Sequence, residues 1–195
     1  MAHLIAFEGL DQSGKETQAM RLRDALRARG LGAEYVTFPD YTTPIGQEIA
    51  RGLHGERTFG PDVMQLLFIA NRYERKDAIA EMLRAGTYVI CDRYLASSIA
   101  YGEAHGLDAF WLADVQKFLP QPSLTILLDI NPEHAARRKA TGRDRYERDL
   151  ALLGRVRESY LRQARQPSWV RIDGDRAKDE VAAAVFAAVK VLGIG

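Results

Sequence analysis

Residues 7–18 read "FEGLDQSGKETQ", and within them Gly9, Gly14 and Lys15 stand in the spacing G-x-x-x-x-G-K. Glycines at those positions let backbone N–H groups turn inward around an anion. A helix starting just beyond adds the positive end of its dipole, and the lysine reaches the same centre of negative charge. The spacing needs a strand before it and a helix after it. "HLIAF" before it is apolar, and "TQAMRLRDALRARG" after it carries Met20, Leu22 and Leu26 at helical spacing before closing on Gly30. A chance glycine turn ahead of a helix is the competing interpretation. Strand, loop and helix in that order favour a phosphate cradle, formed by Gly9, Leu10, Asp11, Gln12, Ser13, Gly14, Lys15, Glu16 and Thr17.

Glu16 departs from the pattern, which calls for Ser or Thr there to hold magnesium through a hydroxyl. In the first turn of a helix a carboxylate complements the dipole by about 0.3–1 kcal/mol, and that alone is one account of it. Mg²⁺ also accepts carboxylate oxygens readily, so Glu16 is expected to bind the ion directly or through water. Thr17 lies about 100° further round the helix, which turns its hydroxyl away from that role.

Outward from the loop, short apolar runs recur at 3–9, 33–39, 87–92, 124–130 and 169–173, with helical stretches between them. Near-continuous apolar strands are buried on both faces, so the alternation predicts a five-stranded parallel sheet flanked by helices, with right-handed crossovers. This is a three-layer α/β fold of the phosphate-loop NTPase type. The 195 residues suit one domain. Hydrophobic residues at 47% and charged residues at 27% indicate a globular chain, and the formal charge of +1 supplies no global field for nucleic acid or membrane. Cys91 is the lone cysteine, and neither a signal segment nor an apolar run of membrane-spanning length is visible, so a reducing cytoplasmic location is expected.

Ligands of such sheets bind beyond the carboxyl ends of the strands. Three strand ends carry suggestive chemistry: Gly9 to Lys15, Phe38 to Tyr41, and Asp92 to Tyr94. Asp92 is placed to orient metal-bound water, Arg93 to clamp a phosphate bidentately; a surface ion pair is the bland alternative. In "MQLLFIANRYERKDAI", taken as one helix, Phe68 and Arg72 are four apart and share a face, so a ring can stack on a base whose edge the guanidinium reads. The segment at about 136–149 breaks at Gly142 and holds Arg137, Arg138, Arg143, Arg145 and Arg148, which suits a basic lid.

The set "FEGxDxSGKxTQ", "FPDYTTPIG", "LLFIANRYE", "DRYLASSIAY" and "GRDRYE" resembles the thymidylate kinase family over nearly the whole chain. The resemblance implies phosphorylation of dTMP to dTDP by ATP with Mg²⁺, in a homodimer. It further implies that Asp11 contacts the deoxyribose or aligns the acceptor phosphate, Phe68 stacks on thymine and Arg72 reads its carbonyl edge. Arg93 would bridge the two phosphates, Ser97 and Ser98 line the base, and Tyr101 crowd the sugar's 2′ position. Gln12 and Tyr41 stand where many relatives carry arginines, so the missing charge is assigned to the lid, to Arg143 above all; Tyr41 keeps a hydrogen bond to the dTMP phosphate. Lys15, Arg93 and Arg143 with Mg²⁺ neutralise the transferring group, and Asp11 and Asp92 complete the catalytic set. Glu16 and Asp92 are the candidate metal ligands. Three alternatives stay open: a deoxynucleoside kinase, whose carboxylate base would be Glu8, a nucleoside monophosphate kinase of other base preference, or a nucleotide-binding module disabled by Glu16.

Overall fold

The computed structural model describes residues 2–138 and 149–194. Five strands, β1 (Leu4–Glu8), β2 (Ala33–Thr37), β3 (Tyr88–Asp92), β4 (Leu124–Asp129) and β5 (Trp169–Asp173), lie within the apolar runs that announce them. All pair in parallel, in the order β2-β3-β1-β4-β5. With β1 central and buried at every residue, the chain runs from β1 past β3 to the edge strand β2, returns to β3, and then crosses β1 to β4, so the direction of winding reverses about β1. The crevice beyond the carboxyl end of β1 is the binding position of an open parallel sheet.

Alternation along β1 builds the three layers. Ile5 and Phe7 pack with Ile90, Ile126 and Leu128 against Leu22 and Leu26 of α1 (Lys15–Ala28) and Val181 and Val185 of α9 (Lys178–Val189). Leu4 and Ala6 turn to the other face, with Val89, Cys91, Tyr94 and Ile79. There too lie α5 (Leu95–Ala104) and α8 (Leu150–Gln163), joined through Ala100, Ala104, Leu153 and Val156. Burying apolar surface on both faces of the central strands makes β1 a rigid mount for the loop that follows it.

Register levels the functional ends. Phe7 is opposite Asp92, and Asp92 is opposite Thr37, so the loops after β1, β2 and β3 start at one height. Gly9 leaves the sheet at φ +140°, where a Cβ would stand 2.4 Å from the Leu128 carbonyl oxygen of β4.

One expectation is corrected. The stretch taken as a single helix is two, α3 (Pro61–Glu74) and α4 (Lys76–Arg84), divided at Arg75. Arg75 ends α3 with φ −99° and ψ −2°, and its guanidinium is held by the Asp40 carboxylate in the loop after β2. The apolar periodicity runs through the break, which is why sequence alone joins the two. Of the expected lid, α7 (Pro132–Arg138) is described; Gly142, Arg143, Arg145 and Arg148 lie outside the described residues.

Candidate active site

The phosphate loop is shaped by its own backbone. Gly14, at φ +92°, caps α1, and Gln12 sits at φ +63° with a non-glycine side chain. Ser13 N–H donates to the Leu10 carbonyl at 3.2 Å, and the Lys15 ammonium donates to the same oxygen at 2.8 Å. A cavity of about 540 Å³ opens over this loop, lined by Asp11 through Gln18 together with Asp92, Arg138, Gly174, Arg176 and Lys178. Gly9 and Leu10 stand behind that wall: Gly9 for the close pass over β4, Leu10 as a buried anchor whose carbonyl gathers the lysine. Arg138 fastens the cleft's rim, donating to the Gln12 carbonyl at 3.0 Å and the Gly174 carbonyl at 3.1 Å. Arg137, the other described lid arginine, is exposed, as Arg138 is. Thr17, expected to turn away from the metal position, lines the same cavity as Glu16.

A second cavity, of about 290 Å³, adjoins the first at Asp11, Lys15 and Asp92, which line both. It brings together Tyr41, Phe68, Arg72, Arg93, Ser97, Ser98 and Tyr101, each singled out from sequence, and adds Thr37, Phe38, Pro39, Leu53 and Gln65. Arg72 donates to the Ser98 hydroxyl at 2.7 Å and lies over the Phe38 ring, 5.8 Å from its centroid. Burial lowers its pKa to about 10, an effect partly offset by Glu8. Arg93 takes the left-handed backbone conformation at φ +62°; its guanidinium donates to Asp11 Oδ1 at 2.7 Å and to Ser97 Oγ at 3.2 Å, and lies 5.4 Å from the Tyr101 ring centroid. A non-glycine residue in that conformation marks a side chain whose direction the site dictates.

Charge at this junction is strongly coupled. Burial alone would raise the Asp11 carboxyl, but Arg93 and Lys15, with hydrogen bonds from Arg93 and Tyr101, outweigh it and hold Asp11 well below the usual carboxylate range. Burial and the neighbouring Arg93 lower Lys15, against the opposing pull of Asp92, Asp11 and Glu8. The pocket therefore presents Asp11 ionised beside the Arg93 guanidinium.

Glu8 is completely buried, and its carboxylate accepts from the Tyr94 N–H at 2.8 Å, the Ser97 hydroxyl at 2.6 Å and the Tyr160 hydroxyl at 3.2 Å. It fixes the start of α5 and, through Ser97, the far side of Arg93. Sequence reasoning missed this role and that of Tyr160, because α8 is distant in sequence and carries no motif. It also missed Tyr35 on β2, whose hydroxyl donates to Asp92 Oδ2 at 3.3 Å. Burial, then Asp92 and Glu16, raise its pKa to about 12, which sets all three groups in one electrostatic neighbourhood. The loop after β2 is secured by Asn71, which accepts from the Asp40 N–H at 2.7 Å and donates to Thr43 at 2.9 Å.

The donor set suits a magnesium ion. Asp92 Oδ1 is buried with no hydrogen-bond partner among the described residues, and Glu16 lines the same phosphate-loop cavity. No cluster of three or more His, Cys, Asp or Glu side chains occurs among the described residues. Mg²⁺ needs none, being held by one or two carboxylates together with substrate phosphates and water.

A parallel sheet carrying a phosphate loop on its central strand, with a second pocket facing that loop across shared acidic and basic walls, defines a phosphate-loop kinase fold. The thymidylate kinase family description matches residues 7–185. The chain is 36% identical over 178 residues to the thymidylate kinase of Dictyostelium discoideum, covering 91% of this chain and 80% of that one. It is 39% identical over 189 residues to a probable thymidylate kinase of Pyrobaculum calidifontis, covering 95% of each. The solved thymidylate kinase of Candida albicans superposes with a TM-score of 0.83 at 30% identity, covering 98% of this chain and 92% of that one. The chain belongs to the thymidylate kinase family.

Proposed function

We propose that this protein transfers the γ-phosphoryl group of ATP to the 5′-phosphate of dTMP, giving dTDP and ADP. The observation that carries this reading is the pair of cavities that share Asp11, Lys15 and Asp92 as their common wall. Donor and acceptor phosphates that enter from adjoining cavities and meet over these shared residues can lie in line, and positioning is most of what phosphoryl transfer asks of a protein.

In this reading, Gly14, Ser13 and the first turn of α1 hold the β-phosphate, and Lys15 leaves the Leu10 carbonyl for the γ-phosphate. Arg93 bridges the two phosphates, oriented by Asp11, Ser97 and Tyr160. Phe68 stacks on thymine, Arg72 reads its carbonyl edge, Ser98 lines the base, and Tyr101, donating to Asp11 at 3.2 Å, crowds the sugar's 2′ position. Tyr41 reaches the acceptor phosphate. That phosphate is already anionic, so no strong general base is needed. Asp92 and Glu16 would hold Mg²⁺, which supplies charge neutralisation on the phosphates. Arg143 would close the site from the lid at 136–149, within a single domain of 1–195.

A cytoplasmic homodimer completes the proposal. Exposed Val63 and Leu66 on α3, and Phe110 and Trp111 on α6 (Ala109–Asp114), supply apolar surface for a subunit contact. Among the described residues no helix is long and apolar enough to cross a membrane.

The alternatives lose ground on particular residues. Glu8, the base a deoxynucleoside kinase would use, is fully buried with its carboxylate oxygens taken by Tyr94, Ser97 and Tyr160. A module that only binds nucleotide has no use for a second pocket built from Phe68, Arg72 and Arg93. The test is release of ADP from ATP and Mg²⁺ with a panel of nucleoside monophosphates and with thymidine. Turnover is expected with dTMP; activity with thymidine alone, or none with any monophosphate, overturns the proposal.

A further inference from the structure

Gln65 is 1% exposed, and neither its Oε1 nor its Nε2 meets a hydrogen-bonding partner among the described residues. Other buried glutamines differ: Gln18 and Gln116 each place Nε2 on backbone carbonyls. A carboxamide carries two donors and two acceptor sites, and leaving all of them unmet in a protein interior is costly. Such a cost is retained where something else repays it.

Its position says what. Gln65, Phe68 and Arg72 stand at i, i+3 and i+7 of α3, hence on one face, and all three line the acceptor cavity. Arg72 Nε is likewise buried and unmet, although its Nη1 holds Ser98. The phosphate end of this cavity is marked by Lys15, Asp11 and Arg93. Gln65 lines the cavity with Phe68 and Leu53 and stands one turn of α3 from Phe68. An oxopyrimidine edge offers two carbonyls flanking one ring N–H. Arg72 only donates and so can take a carbonyl; an amide that both donates and accepts matches the N–H and the second carbonyl.

We propose that Gln65 is a specificity-determining residue of the acceptor pocket, its side-chain amide hydrogen-bonding the base at the ring N–H and the carbonyl that Arg72 leaves free. The assignment rests on the reading of this cavity as the pyrimidine nucleotide site. It makes the ligand-free fold less stable than it need be, in exchange for selectivity.

The test uses the full chain with Gln65→Met and Gln65→Leu, which keep an apolar stem and remove the amide. Binding of dTMP is measured by calorimetry, together with 2-thio- and 4-thio-dTMP, because sulfur is a weak acceptor. For both variants the Kd for dTMP should rise roughly tenfold, the worth of about one hydrogen bond, while the thermal midpoint without ligand is equal or higher. One thio analogue should bind wild type more weakly than dTMP does but bind the variants as dTMP does. The inference is overturned if the variants bind dTMP within about twofold of wild type, or if they are as sensitive as wild type to both thio analogues. Wild-type protein that does not bind dTMP refutes the pyrimidine-pocket reading itself, and this inference with it.

Discussion

Arg93 concentrates the chemistry of the site in one side chain. Its guanidinium spans Asp11, Ser97 and Tyr160, so the planar fork is aimed before substrate arrives; lysine, a single point charge, has no such fork. Arg93→Ala is expected to lower kcat by about 10³-fold or more, in the range lost with a transition-state arginine, and Arg93→Lys to recover only a small part. Steady-state kinetics at saturating ATP and dTMP decide it: an Arg93→Lys enzyme near wild type would mean that charge alone suffices. Tyr35 acts one step further out. Its hydroxyl is the described donor to Asp92, whose other carboxylate oxygen is buried without a partner among the described residues and is the one proposed to hold a metal. Tyr35→Phe should weaken metal binding about tenfold, as loss of a residue orienting a metal ligand does, with the KM for dTMP unchanged. Titration with Mn²⁺ followed by electron paramagnetic resonance reads the affinity directly, and an unaltered affinity would remove Tyr35 from the metal's surroundings.

Among the elements, what was legible follows from what sequence encodes locally. The five strands are apolar runs because both faces of a central parallel sheet are buried, and the loop after β1 is visible because glycine and lysine spacing is itself the structure. Gly9 shows how tight that coupling is. Gly9→Ala meets both a positive φ and the Leu128 carbonyl at 2.4 Å, and is expected to cost about 2–5 kcal/mol from strain and overlap together. Gly154 inside α8 has nothing within 4 Å of a Cβ among the described residues, so Gly154→Ala should instead stabilise by about 0.5–1 kcal/mol. Denaturant unfolding of both variants checks the pair; equal shifts would mean the Gly9 environment yields. What stayed hidden is the set of contacts made between distant elements. Glu8 beneath α5 and Tyr160 reaching in from α8 belong to no local pattern, and Gln65, although one turn from Phe68, carries no local sign of its burial there. The break at Arg75 was hidden for the same reason, since the Asp40 that holds it lies in the loop after β2.

On the scale of the whole molecule, the common wall has a consequence that neither cavity has alone. Asp11, Lys15 and Asp92 line both cavities, so in the proposed reaction the occupants of the two sit phosphate to phosphate. Joining them covalently turns the second binding event into an intramolecular one, which raises affinity without any new contact, provided the linker spans the gap. Adenosine and thymidine joined through their 5′ positions by a phosphate chain supply that linker. ATP and dTMP together bring four phosphates, and a loose in-line transition state holds donor and acceptor apart, so a chain of four or five should fit where two or three strain one nucleoside out of its pocket. The compound with the longer chain is expected to bind at least about 10²-fold more tightly than ATP or dTMP. It should also raise the thermal midpoint more than both nucleotides added together at the same concentrations. Competition against each nucleotide separately completes the measurement, because a ligand spanning the wall must displace both. If it displaces ATP but leaves dTMP bound, the two cavities are not filled across Asp11 and Lys15, and in-line transfer at that wall is refuted.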